Sequence, residues 1–206
     1  VLNNIGKDEV RKVMLMKTLV ILAHPNMEHS RVNKRWRQEL LLNPDEVTVH
    51  ELYQEYPDWN IDVSKEQKLL ETHQCIILQF PLYWYSYPPL LKKWLDDVLT
   101  RGWAYGSMGN ALHGKKFGIA ISIGNKKENY SQNGSITFTV DEIIAPFKAT
   151  TIYIGATALP HFSFFGASFQ VTDEEIEQSA KDYMDYIRKY NFLSMIESKP
   201  EIFRKL

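Results

Sequence analysis

Thr18-Leu19-Val20-Ile21-Leu22-Ala23-His24-Pro25 is the stretch that decides the fold. Its first six residues are apolar almost throughout rather than alternating, the pattern of a central parallel strand covered on both faces. A parallel strand needs a crossover after it, usually a helix. Ser30 is placed to cap that helix and Asn33 to Leu42 continue it. Asn43-Pro44 ends it, because proline disfavours helix at the residue before it.

Working outward, the same alternation recurs. Val47, Val49 and Leu52 predict a second strand, Ser64 with Glu66 in its first turn starts a short helix to His73, and Cys75 to Phe80 is another buried strand. Pro88-Pro89 opens a helix with an apolar stripe from Leu90 to Leu99. Lys116 to Ile123 predicts a fourth strand, Ile136 to Phe147 a helix, and Thr150 to Ala158 a fifth strand. Val171 to Tyr190 closes the pattern as an amphipathic helix capped by Thr172. Five strands alternating with helices predict an α/β, doubly wound, five-stranded parallel sheet with helices on both faces.

The chain of 206 residues is the size of one domain, at roughly 150 residues each. That domain is expected over 16–190, with 1–15 an N-terminal arm or an expression remnant and 191–206 a C-terminal tail. Lys plus Arg number 24 against 25 Asp plus Glu, so no overall basic field points to nucleic acid or anionic lipid. Cys75 is the single cysteine, which excludes an intrachain disulfide or a Cys-rich metal site and fits a reducing cytosol. The six histidines show no HExxH-like spacing, so no metal centre is expected. Cys75 reads as inert core, and His29 and His113 as surface or turn residues.

Ligands of doubly wound sheets bind beyond the carboxyl ends of the strands. Three loops lie there. The first, His24 to Ser30, leads into a helix whose unpaired amides suit a phosphate, with His24, Ser30 and Asn33 adding donors. It carries neither GxGxxG nor GxxxxGK[ST], against a Rossmann dinucleotide site or a P-loop, and an ordinary N-cap and turn are the plainer alternative. The second, Pro81 to Tyr87, combines aromatics and prolines and reads either as a platform for a planar heterocycle or as a hydrophobic plug or subunit contact. In the third, Ser122-Ile123-Gly124-Asn125, Gly124 lets backbone approach a ligand and Tyr130 is near enough to reach over it; a flexible polar loop is the alternative.

The strings His24-Pro25 with Ser30 and Asn33, Tyr56-Pro57-Asp58-Trp59-Asn60-Ile61-Asp62, Trp84-Tyr85-Ser86 with Pro88-Pro89-Leu90-Leu91-Lys92, Gly102-Trp103-Ala104-Tyr105-Gly106 and Ala111-Leu112-His113-Gly114-Lys115 occur in this order. Together they resemble the flavodoxin-like NAD(P)H:quinone oxidoreductases. The resemblance is strongest to the bacterial branch containing the ancillary flavoprotein of the glutathione-gated potassium-efflux system, and it runs from Met16 to about Tyr190. It implies strand order 2-1-3-4-5, bound FMN rather than FAD, and NAD(P)H as co-substrate. Flavin contacts are implied at His24, Ser30, Arg31, Val32 and Asn33, at Pro81, Leu82, Tyr83 and Trp84, and at Ser122, Ile123, Gly124 and Asn125. It further implies a homodimer in which Trp103 or Tyr105 walls the partner's substrate pocket, a quinone-type acceptor, and a cytoplasmic protein with a potential transporter partner at the inner face of the membrane.

Asn125 stands where relatives often carry glycine. Tyr130 matches a tyrosine assigned to charge relay in the mammalian enzymes, but the histidine paired with it there falls on Ile136, so that role is not carried over. Tyr130 and Asn125 are therefore the candidate catalytic donors for ping-pong hydride transfer. A regulatory flavoprotein is the alternative reading. A one-electron carrier would need an acidic docking face that the near-zero charge does not supply.

Overall fold

A computed structural model describes residues 17–198, and side chains through 191. The expected arm at 1–15 lies outside the described residues. The sheet is parallel, ordered β2 (Val47–Glu51), β1 (Thr18–Leu22), β3 (Cys75–Pro81), β4 (Lys116–Ser122), β5 (Thr157–Ala158), with β6 (Phe162–Phe164) also pairing with β4. Its central strands are β1 (Thr18–Leu22), β3 (Cys75–Pro81) and β4 (Lys116–Ser122), each buried along its whole length. The edge strand β2 (Val47–Glu51) is half-buried.

Alternate residues of the central strands feed two cores, as a period of two requires. Val20, Ile77 and Ala120 meet Trp36 of α1 (Val32–Leu41) and Tyr183 of α7 (Asp173–Ser198). Leu19, Ile21, Ile76 and Leu78 meet Leu70 of α3 (Val63–Glu71) and Trp94 of α4 (Pro89–Val98). Both faces are thus covered, which is why β1 reads as an unbroken apolar run.

Several local expectations are corrected. Leu52 does not extend β2 but opens a single helical turn, α2 (Leu52–Glu55). Asp62, not Ser64, caps α3, accepting from the Lys65 amide at 3.0 Å. Glu66 lies in the first turn as expected, but it is fully buried and its carboxylate accepts from His50 Nε2 at 2.9 Å, Tyr56 OH at 2.5 Å and Trp94 Nε1 at 2.7 Å. Burial alone would raise its pKa, but these bonds outweigh it and hold the carboxyl below its ordinary value. The residues expected as one helix and a strand form α5 (Val140–Ile143) and α6 (Ala145–Tyr153). Pro146 starts the second helix, where its missing N–H costs nothing. Thr150 and Thr151 are helical despite their β-branching: their hydroxyls donate to the carbonyls four residues back, at 2.9 Å each, and Thr151 is buried against the core.

Gly155, at φ 71°, ends α6 in the left-handed conformation that suits glycine. The fifth strand therefore shrinks to β5 (Thr157–Ala158), and the chain re-enters the sheet as β6 (Phe162–Phe164), making six strands rather than five. Pro160 lies in the break and has no N–H to give the ladder. Helix α7 is capped as expected, with the Thr172 hydroxyl accepting from the Glu175 amide at 3.1 Å and Glu175 returning a bond to the Thr172 amide at 2.7 Å. It continues to Ser198, so the expected tail begins as helix. No helix among the described residues is long and apolar enough to cross a membrane.

Candidate functional site at the carboxyl edge of the sheet

A cavity of about 340 Å³ lies at the carboxyl ends of β1, β3 and β4. The three expected loops meet there: His24, Ser30, Arg31 and Val32 from the first, Pro81, Leu82 and Tyr83 from the second, Ser122 and Gly124 from the third. His29, Ala167 and Ser168 complete the wall, and none of these side chains is a carboxylate. That donor set suits an anion at one end and a flat, largely apolar body at the other, which is the chemistry of a flavin phosphate and its ring.

The anion end is built by α1. Its first turn presents amides without intrahelical acceptors, and the Ser30 hydroxyl takes one of them, from Asn33, at 3.2 Å. His24 Nδ1 accepts from the Asn26 amide at 3.1 Å. Burial pushes the His24 pKa below its ordinary 6.5, so the ring is neutral at pH 7 and its remaining proton sits on Nε2. His29, expected as a surface or turn residue, is exposed on a 3-10 turn yet lines the cavity. Its Nδ1 donates to Asn26 Oδ1 at 2.8 Å. The Arg31 guanidinium reaches outward, donating to the Val171 carbonyl at 3.0 Å and to Asp173 at 2.8 Å.

Asn33 does not take the place foreseen for it. It is 1% exposed, and its side chain donates to Ser122 Oγ at 2.7 Å, inside the wall rather than into the cavity. Ile123 is fully buried in the core, and it contributes only backbone to the loop. Asn125 turns its Oδ1 back to the Lys126 amide at 2.9 Å and the Asn129 amide group at 2.7 Å, so that oxygen serves the loop and not a ligand. At Gly124 an added Cβ would lie 2.5 Å from Ser168 Oγ, so glycine lets the 166–168 segment close onto the loop. The amides of Gly166, Ala167 and Ser168 bond to the carbonyls of Asn125, Ile123 and Gly124 at 2.8, 2.9 and 3.2 Å.

In the second loop Tyr83 and Ser86 exchange backbone bonds of 3.1 and 2.9 Å around Trp84 and Tyr85, which stand at φ 47° and 61°. Trp84 is 93% exposed at the tip and does not line the cavity. Tyr130 packs its ring 5.8 Å from Phe165. Burial, with the nearby Tyr85 phenol, pushes the Tyr130 pKa up, so it remains a hydrogen-bond donor at neutral pH.

Trp103 and Tyr105 are not brought to this cavity. Trp103 Nε1 donates to Glu71 at 2.8 Å and Tyr105 packs against Tyr153 with ring centroids 5.3 Å apart. Both partners precede the amino ends of strands, so this segment lies at the opposite end of the sheet from the three loops. The sequence carried no signal for Ala167 and Ser168, because the strand expected over Thr150 to Ala158 stops before β6 (Phe162–Phe164), which delivers them.

A family model described as flavodoxin-like fold matches residues 16–187. The chain is 50% identical over 173 residues to the uncharacterized NAD(P)H oxidoreductase YrkL of Bacillus subtilis, covering 84% of this chain and 98% of that one. The crystal structure of general stress protein 14 from Treponema denticola, in complex with FMN, superposes with a TM-score of 0.81 at 46% identity, covering 84% and 98%. An NADPH-quinone reductase structure from P. pentosaceus superposes at 0.75 with 32% identity, again covering 84% and 98%.

Proposed function

Since the chain belongs to the flavodoxin-like fold family matched over residues 16–187, we propose that it is an FMN-dependent NAD(P)H oxidoreductase that passes two electrons to a quinone-type acceptor. The observation that carries this reading is the cavity at the carboxyl edge, where a helix N-terminus and neutral donors face one end and Pro81, Leu82 and Tyr83 the other. The FMN-bound Treponema structure, similar over 84% of this chain, supports the choice of cofactor.

FMN, when bound, supplies the hydride chemistry. The first turn of α1 and the His24 Nε2–H would hold its phosphate, and the third loop, brought close to Ser168 at Gly124, would meet its polar edge. Tyr130, protonated at neutral pH, donates a hydrogen bond where negative charge develops. Asn125 contributes through the loop it ties rather than through its bound Oδ1. Nicotinamide and acceptor would share this cavity in turn, as ping-pong transfer requires.

Trp103 and Tyr105, lying at the far end of the sheet, wall the pocket of a second copy of this chain. Beside them Met108, Ile152 and Tyr153 are exposed large apolar residues, a surface that pairing about a twofold axis would cover. The shared sequence strings favour a second reading, a regulatory flavoprotein of a potassium-efflux transporter, which co-purification with such a transporter would support.

The test is direct. Purified protein should show a flavin absorption spectrum, release FMN on denaturation, and oxidise NADH or NADPH faster when menadione is added. Release of FAD, or no acceleration by the quinone, would overturn the corresponding part.

A further inference from the structure

The bonds around Asn33 form a chain whose direction is fixed by one group. The Asn33 backbone carbonyl can only accept, and Gln79 Nε2 lies 3.4 Å from it and 3.3 Å from Asn33 Oδ1. Turning the Gln79 amide over would set its oxygen against two oxygens, so its nitrogen must face Asn33. Asn33 Oδ1 is thereby the acceptor from Gln79, and Asn33 Nδ2 is the group that donates to Ser122 Oγ at 2.7 Å. Both amides are buried, at 1% and 0% exposure, so water does not scramble this order.

A serine hydroxyl that accepts still has its own hydrogen to give. Among the described residues the Ser122 hydroxyl has no acceptor, and Ser122 lines the cavity. Its backbone carbonyl accepts from the Leu82 amide at 2.9 Å, while its hydroxyl is tied to α1. It therefore stands between the anion end and the platform of the second loop, opposite the part of a ligand that joins phosphate to ring.

We infer that Asn33 and Gln79 are positioning residues that aim the Ser122 hydroxyl as a donor at the ribityl chain of the flavin. This rests on the flavin reading above. It also replaces the phosphate contact expected for Asn33: the amide acts on the cofactor through Ser122.

The test measures affinities of the full-length apoprotein at pH 8 for FMN, riboflavin and lumiflavin, the last having the ring without the ribityl chain. Ser122→Ala should weaken riboflavin and FMN about fivefold, the factor for one neutral hydrogen bond, and leave lumiflavin unchanged. Ser122→Thr, which keeps the hydroxyl, should bind riboflavin as wild type does. Asn33→Asp reverses the bond, since a carboxylate only accepts and draws the Ser122 hydrogen away from the cavity. Its loss on uncharged riboflavin should match that of Ser122→Ala, and the double variant should lose no more than either. Should Asn33→Asp fail to fold, Gln79→Met frees the Asn33 amide instead, and its loss must vanish in the Ser122→Ala background. Wild-type affinity of Ser122→Ala for riboflavin, equal losses on lumiflavin, or additive losses in the double variant would overturn the inference. A wild-type protein that binds none of the three probes would instead overturn the flavin reading itself.

Discussion

His24 shows how a single residue is set for its task by two local facts. A backbone amide occupies Nδ1 and burial keeps the ring neutral, so this ring in the cavity wall carries its one proton on Nε2. His24→Ala should weaken FMN by roughly 10- to 100-fold, in line with loss of a hydrogen bond to a charged group, as measured by fluorescence quenching of the free flavin. Tyr130 is different because its phenol is not part of the anion end. Tyr130→Phe should lower kcat more than FMN affinity, because a bond to developing charge strengthens toward the transition state. Equal losses in steady-state rate and flavin titration would make it a packing residue over Phe165.

At the scale of elements, the tip of the second loop is strained just beyond the residues that line the cavity. Trp84 and Tyr85 occupy left-handed backbone at a two-residue turn that glycine or asparagine usually fills. Trp84→Gly should therefore stabilise the apoprotein by about 1 kcal/mol in urea unfolding, since the exposed indole gives up little packing, while substrate or flavin affinity falls. Stability and binding moving in the same direction would count against a turn held strained for binding. The opposite arrangement holds at Glu66, where β2, α2, α3 and α4 are joined on one buried carboxylate. Glu66→Leu leaves the buried Tyr56 and Trp94 donors and the half-buried His50 without an acceptor and should cost about 3 kcal/mol or more, read from the urea midpoint, while the cavity, which none of these residues lines, retains its donors.

At the scale of the whole molecule, His24, His73 and His161 all have pKa values lowered by burial. Each takes up a proton more readily when unfolded, so stability is complete above the ordinary histidine value of 6.5 and falls as pH drops below it. The Glu66 contribution has the lower window: it persists above 4.5 and is lost as pH falls through its depressed folded value. Thermal melts of the apoprotein should thus be flat from pH 7 to 8 and decline from about pH 6.5 downward, and a pH-independent melt between 7 and 5 would refute this. For assembly, sedimentation at micromolar concentration should give a dimer, and Tyr105→Ala should keep flavin but raise KM. A fully active monomer would refute the shared pocket.

The amino-acid sequence by itself determined the layered sheet and the edge at which its three long loops meet. Both follow from local rules: unbroken apolar runs at β1, β3 and β4 demand cover on two faces, and prolines at 44, 88 and 89 punctuate the helices between them. Sequence also placed His24, Ser30, Leu82 and Gly124 around one cavity, because each lies in a loop that leaves the carboxyl end of a central strand. Tertiary structure alone decided what those residues do there. Whether Asn33 faces a phosphate or Ser122 depends on Gln79, 46 residues away in the chain, and no periodicity encodes that bond. Glu66 is a surface acid by propensity and a buried hub by contact, since His50, Tyr56 and Trp94 converge only once the strands have paired. The break between β5 and β6 was equally hidden: threonines that favour strands sit in a helix, with their hydroxyls bonded to carbonyls one turn back, a choice settled by packing against the core rather than by propensity.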